Sequence, residues 1–471
     1  MIGHSQRPIS FSMAGQPRII SENDPCLRFF AQNLLGFLLL MFAVWVGPVA
    51  ASPEIPGAPQ TGPILLSGAT IHPQNSPPIE QGRLLFESGR IVAVGKQIEV
   101  PPGTSHIDVT GKHIYPGMFD AYSQMGLVEI GAVRATNDRS ETGKFNPNVR
   151  AEVAVNPDSE LIPVTRTNGV LLCLTAPQGP LLAGRSAVMQ LDGWTWEDMA
   201  LRRNVAMHLK WPRMTPSTAW WMEDSWKDQI TKRDEQLKTL EQFMDDARAY
   251  AKGRAGHLGS ERPGALQEDV RFEAMIPVLK RQLPLMIQAD ELQQIQAAVA
   301  FSAREQLKMI LLGGYDAPRC SELLVRHRIP VVVGGVYRLP QRRHDDYDAP
   351  FTVPLKLQQA GVRYCIAALD RFGPSNTRNL PYHAAMAVAH GLDRDEAIKA
   401  LTLYPAQILG VDDRVGSLEP GKDATLIVVD GDPLEATTRV QAAYIQGRAV
   451  QLDNRHQRLW RKYQEKYRRL R

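Results

Sequence analysis

Residues Pro116–Leu127 read PGMFDAYSQMGL and follow the apolar run His113, Ile114, Tyr115. Proline has no amide hydrogen and glycine has no Cβ, so Pro116-Gly117 turns the chain as it arrives. The next residues place apolar side chains around one carboxylate, Asp120, and finish on Tyr122, Ser123 and Gln124. A strand over 113–121 with polar groups at its carboxyl end is the expected element.

The pattern on either side extends this reading. Upstream, residues 62–112 alternate short apolar runs with turn signals, ILLSGATI, GRLLFESGRIVAVG and HIDVTGKHI, with Ser88-Gly89 marking a hairpin. Downstream, GVLLCLT at 169–175 reads as a second buried strand, with 185–191 and 204–209 as candidates for the third and fourth. LPLMIQA, LKMILLGG, IPVVVGG and VRYCIAAL then alternate with helical stretches near 290–305, 317–327, 353–360, 380–391 and 393–403. Near-continuous apolar strands separated by helices imply a parallel sheet covered on both faces, and a (β/α)8 TIM-like barrel is the economical α/β architecture.

Six of the eight tryptophans fall in 192–226, inside an expected insertion at about 192–265. Packing of this insertion against the barrel is the favoured reading over an aromatic ligand platform. A helix from about 225 to 252 carries Trp226, Ile230, Leu237, Leu240, Phe243, Met244, Ala247 and Tyr250 as its apolar stripe.

Composition narrows the function classes. With 471 residues, 22% charged and a net charge of +4, the chain suits a large globular domain plus a smaller one and argues against a nucleic-acid-binding body. Residues 34–46, LLGFLLLMFAVWV, make a thirteen-residue apolar run ahead of Val49-Ala50-Ala51-Ser52. A helix of that length rises about 20 Å against about 30 Å of bilayer hydrocarbon, so residues 1–51 are expected to be a cleaved signal peptide and the body exported. A retained leader would instead anchor it in the membrane. Residues 52–61 are a Pro-rich linker. Beyond the leader's Cys26, the three widely spaced cysteines, Cys173, Cys320 and Cys365, do not suggest a disulfide framework or structural zinc site, and Cys173 and Cys365 lie in apolar runs that suit buried thiols. Residues 455–471, RHQRLWRKYQEKYRRLR, carry eight Lys/Arg against one acid. They are expected to form a helix docked on the body, with contact to an anionic surface as the functional alternative.

The stretch PGMFDAYSQ resembles the end of the first barrel strand in the amidohydrolase superfamily, in the subgroup similar to imidazolonepropionases and metal-dependent prolidases. Residues 416–425, GSLEPGKDAT, resemble that family's closing motif. The resemblance covers nearly all of 62–450. It implies a barrel over 113–404 and a small composite β-sandwich built from 62–112 and 405–452, followed by a tail at 453–471. It also implies hydrolysis of C–N bonds by metal-activated water, using a His-x-His pair on strand one, one His each on strands five and six, and an Asp on strand eight.

The resemblance puts Tyr122 and Gln124 at the paired His positions, Gln288 at the strand-five position and Gly313 or Gly314 at the strand-six position. Asp370 is left as the candidate catalytic residue. Lys210 has no secure equivalence to the bridging lysine of binuclear relatives. His344 with Asp345, Asp346 and Asp348 reads as a solvated acidic loop rather than a calcium site, and His383 and His390 as packing or surface residues. Neutral amide and phenol groups replace imidazole poorly on zinc. The expectation is therefore a ligand-binding homologue with impaired or absent catalysis and no cofactor. Its pocket would be built from Tyr122, Gln124, Gln288, Asp290, Tyr315, Asp316, Tyr337, Arg338, Arg371 and Asn376 and would suit a small polar ligand. The alternative is an active C–N hydrolase with a reduced zinc or other divalent-metal site around Asp370, or a metal-free mechanism.

Overall fold

The computed structural model describes residues 54–257, 267–369 and 373–470. The expected leader, with Cys26, and the candidates Asp370 and Arg371 lie outside the described residues. The fold is mixed α/β.

The amino-terminal segment supplies β1 (Ile64–Ile71), β2 (Ile79–Glu87), β3 (Arg90–Gly95), β4 (Ser105–Asp108) and β5 (His113–Pro116). Ser88 and Gly89 both take positive φ, 51° and 80°, the twist that suits a two-residue turn between β2 and β3. The chain then enters β6 (Met118–Ser123), β7 (Val170–Thr175), β8 (Leu182–Arg185), β9 (Ala187–Gln190), β10 (Ala200–Arg202) and β11 (Met207–Lys210). Four strands alternate with helices: β12 (Leu285–Ala289), β13 (Met309–Gly313), β14 (Val331–Gly334) and β15 (Tyr364–Ala367). The carboxyl-terminal strands are β16 (Leu426–Val429), β17 (Val440–Ile445) and β18 (Arg448–Ala449).

Among the described residues these strands form three sheets. The first runs β18-β17-β16-β5-β1-β2-β3, with β4 also on β1. Segments from both ends of the chain therefore share one hydrogen-bonded network, joined where β5 pairs antiparallel with β16. The second is β10-β9-β7-β6 and the third β15-β14-β13-β12-β11-β8. The ladders from β11 through β15 are parallel, as their buried, near-continuous apolar runs predict.

Two expected strands differ. The strand predicted over 113–121 divides at Pro116-Gly117: β5 belongs to the first sheet and β6 to the second. The Gly117 amide donates to Thr425 O and the Met118 amide to Gly169 O, so successive residues bond into different sheets. The stretch 185–191 also divides, and β9 runs antiparallel to β7. Too few residues separate β7 from β9 for the long crossover a parallel pair requires, and Pro177, Gly179 and Pro180 interrupt them. No hydrogen-bonded ladder closes the second and third sheets into a barrel among the described residues.

The two sheets nevertheless share an interior. Phe119, Leu172, Met286, Ile310, Val332 and Cys365 meet in one buried apolar cluster. Where β6 passes the end of β15, the Ala368 amide donates to Asp120 Oδ1 over 3.1 Å. Near β9 and β11, the Ser186 amide donates to Ala206 O and the Val205 amide to Ser186 O. The opposite face of the third sheet packs beneath helices, with Leu240, Phe243 and Met244 of the helix Trp226–His257 buried there.

The tryptophan-rich stretch does not pack as expected. Trp194, Trp220, Trp221 and Trp226 are exposed, and Ile230 sits at the edge of exposure. Trp211 is buried against Phe301, and Trp196 lies half-buried beneath Arg203. Pro212 and Pro216 keep the intervening chain out of strand and helix, so it has no regular face to bury. Cys173, Cys320 and Cys365 are free and buried.

A Cβ at Gly117 would lie 2.8 Å from Leu171 Cδ1 and 2.9 Å from Leu171 Cβ. Gly117→Val should cost about 2–3 kcal/mol of stability through overpacking. Equilibrium urea denaturation checks this, and an unchanged midpoint would show that the joint between the sheets has slack.

Candidate functional site

The carboxyl ends of β12 to β15 open onto two adjoining cavities that share Gln288 and Asp290. One, about 780 Å³, is lined among the described residues by Gln178, Gln288, Asp290, Tyr337, Arg338, Asn376, Asn379, Tyr382 and His383. The other, about 730 Å³, adds Lys210, Arg213, Asp316, Arg319 and Arg342.

Gln288 is the penultimate residue of β12, and the pleat turns it toward the strand-end opening. Asp290 follows directly and is held in place. Its Oδ1 accepts from the Tyr315 amide at 3.2 Å and from Arg338 Nη2 at 3.1 Å, while its own amide donates to Gln294 Oε1. Gly313, with φ of 100°, ends β13 beside this carboxylate, and a Cβ there would come within 3.0 Å of Asp290 Oδ1. Glycine at this strand end makes room for the Asp290–Arg338 pair.

Asp316 is buried and equally committed. Its carboxylate takes both terminal nitrogens of Arg342, and Oδ2 also accepts the Leu292 amide at 2.9 Å. Arg342 continues to Asp345, which also accepts the Tyr315 hydroxyl at 2.8 Å. Burial opposes ionisation of Asp345, but the bonds from Tyr315 and Arg342 prevail and hold it below the usual carboxylate range. Tyr315 is itself buried, with the Arg338 guanidinium 4.8 Å from its ring centroid. It braces the wall rather than facing the cavity. In the acidic loop, Asp348 lies 3.7 Å from His390 Nδ1.

Tyr122 and Gln124 are buried and line neither cavity. Burial raises the Tyr122 phenol above its ordinary range, against a hydrogen bond with Gln124. Next to them Ser123 Oγ and Thr377 Oγ1 lie 2.9 Å apart, tying the end of β6 to the segment after β15. The structure thus gathers Gln288, Asp290, Tyr337, Arg338 and Asn376 around one opening and sets Asp316 in the adjoining cavity wall.

His383 carries no local sequence signal of a site, yet it is buried at the cavity wall, where its Nδ1 accepts the Tyr337 amide at 3.2 Å. His208 on β11 is also buried, its ring centroid 5.8 Å from that of Tyr122, and its Nε2 has no hydrogen-bond partner among the described residues.

The family's metal chemistry can be tested against these donors. Tyr122 keeps its proton, Gln124 and Gln288 are neutral amides, Gly313 and Gly314 have no side chain, and Asp290 and Asp316 are bound to arginines. Among the described residues no group of three or more His, Cys, Asp or Glu is placed to hold a metal ion. These described donors do not by themselves make a ligand set for zinc or a similar ion, and Asp370 lies outside the described residues.

Residues 238–450 match the amidohydrolase family model. An amidohydrolase structure from Thermotoga maritima is 25% identical, with a TM-score of 0.72 over 82% of this chain and 99% of that one. Molinate hydrolase, 18% identical, shares the fold with a TM-score of 0.51 over 84% of this chain and 96% of its own. Among curated proteins, amidohydrolase tasK of Hapsidospora irregularis is 22% identical over 400 residues, which are 78% of this chain. Imidazolonepropionase of Syntrophobacter fumaroxidans is 35% identical over 77 residues, 16% of this chain and 18% of its own length. The chain spans about two fifths of the length of the tasK protein and less of the imidazolonepropionase. The family match, together with the likeness to the Thermotoga maritima structure, places residues 238–450 in the amidohydrolase superfamily.

Proposed function

We propose that this protein is an exported (β/α)8-barrel amidohydrolase homologue, with a composite β-sandwich, that binds a small polar ligand without metal-dependent hydrolysis. The interior shared by the second and third sheets supports the barrel, and the apolar run at 34–46 supports export. One observation carries the functional reading. The acids at the strand ends, Asp290 and Asp316, are engaged by Arg338 and Arg342. The cavity wall meanwhile carries the uncharged amide side chains of Gln288, Asn376 and Asn379. Such walls orient a polar ligand by hydrogen bonds and supply no ionised cluster for a divalent ion.

Metal analysis tests the reading. Protein purified without chelator should hold far less than one zinc, iron or manganese per chain, and added zinc should leave its thermal midpoint unchanged. Stoichiometric metal would overturn the proposal. Turnover of cyclic amides or dipeptides that disappears in Asp370→Asn would establish the hydrolase alternative.

A further inference from the structure

The helix Arg455–Arg469 closes the described chain, and none of its residues is buried. Its first turn is fastened to the body. Asn454 caps it by accepting the Gln457 amide and donates to Thr167 Oγ1, and Arg458 pairs with Glu160 at 2.9 Å. Beyond that turn its aromatic residues stand in solvent: Trp460 is 61% exposed, Tyr463 49% and Tyr467 60%. With 3.6 residues per turn, Leu459, Tyr463 and Leu470 fall on one stripe with Trp460 and Tyr467 beside it, within about a third of the circumference. The rest of the surface is basic, with seven Lys/Arg against the single acid Glu465. Lys466 reaches over the rings of both Tyr463 and Tyr467, so the cations flank the apolar stripe.

We propose that this helix is a docking surface for an anionic lipid bilayer. Two observations agree on that occupant. The aromatic stripe suits the headgroup boundary, where Trp and Tyr can bury their rings and keep their polar atoms wet. The flanking Lys and Arg can extend to anionic headgroups while their methylene stems cover the same apolar boundary. A nucleic-acid surface would use the charge and leave the aliphatic and aromatic stripe exposed. The helix lies along the membrane rather than through it: no helix among the described residues is long and apolar enough to cross. The fastened first turn holds the body against that surface.

The test is co-sedimentation of the full chain with vesicles of phosphatidylcholine alone or with a minor fraction of phosphatidylglycerol. Two variants are compared, Lys462→Gln/Lys466→Gln/Arg469→Gln and Trp460→Ser/Tyr463→Ser/Tyr467→Ser, each with its thermal midpoint checked. Residues 34–46 are present throughout, so the readout is the difference between variants. The charge variant should bind anionic vesicles on the order of a hundredfold more weakly, about fivefold per cation removed. The aromatic variant should lose at least about tenfold. Added salt should weaken the parent toward the charge variant. Equal binding by all three proteins, no preference for anionic vesicles, or tighter binding to duplex DNA than to vesicles would overturn the proposal.

Discussion

Arg166→Met should cost this protein about 3–5 kcal/mol of folding stability, the range for stranding the partners of a buried cation. The Arg166 side chain is only 2% exposed and joins its own helix to three other parts of the chain. It pairs with Glu54 at the start of the described chain and with Asp192 beyond β9, at 3.2 Å. It also donates to Leu191 O at 2.9 Å and to Gln451 O at 3.3 Å, just past β18. Burial lowers the guanidinium to about 10, partly opposed by Asp192, so the charge persists at neutral pH because these partners surround it. Methionine fills much of the volume but leaves Asp192, also buried, with Arg448 as its remaining cation. Urea denaturation should show a lower midpoint, and Arg166→Met/Asp192→Asn should recover part of the loss. A single-variant cost below about 1 kcal/mol would show that the hub contributes little.

The second large effect is in acid. His208 is fully enclosed, and burial lowers its pKa from 6.5 to about 3. The unfolded chain therefore takes up a proton below pH 6.5 that the folded chain refuses until about pH 3. Stability must fall as the pH drops through that window, by up to about 1.4 kcal/mol per pH unit from this residue. His72, lowered to about 4 by burial and by its neighbour His113, adds a second contribution of the same sign. His208→Gln removes the first and leaves the second. Relative to their values at pH 7, the variant should gain about 3 kcal/mol over the parent at pH 4. Parallel stability curves for the two proteins between pH 7 and 4 would refute this assignment.

These two residues also show what local sequence can and cannot carry. The strands are readable because their apolar runs are bounded by proline or glycine, as at 285–289 after Pro284 and at 309–313, which ends on Gly313. The division at Gly117 is not, because it depends on which distant strand each amide reaches, Thr425 for one and Gly169 for the next. The antiparallel course of β9 reflects a short connection, where composition suggested only another buried strand. At the site, Gln288 and Asn376 could be placed from the strand ends. His383 could not: its role depends on the Tyr337 amide 46 residues before it. The commitment of Asp290 and Asp316 to Arg338 and Arg342 is likewise a matter of contact. In the helix Trp226–His257 periodicity found Leu240, Phe243 and Met244, but it could not tell that Trp226 lies beyond the packed surface.

The pairing of β5 with β16 bears on how the chain is made. β1 to β5 leave the ribosome early, but the strand that covers the outer edge of β5 is encoded about 310 residues later. At 5–20 residues per second that edge waits on the order of tens of seconds for its partner. Throughout that interval Ile114 and Tyr115, buried in the finished protein, border an open row of backbone donors and acceptors. Nascent chains should therefore be most prone to associate with one another, and most in need of a chaperone, before residue 429 emerges. The last-made strands act as the latch for the first.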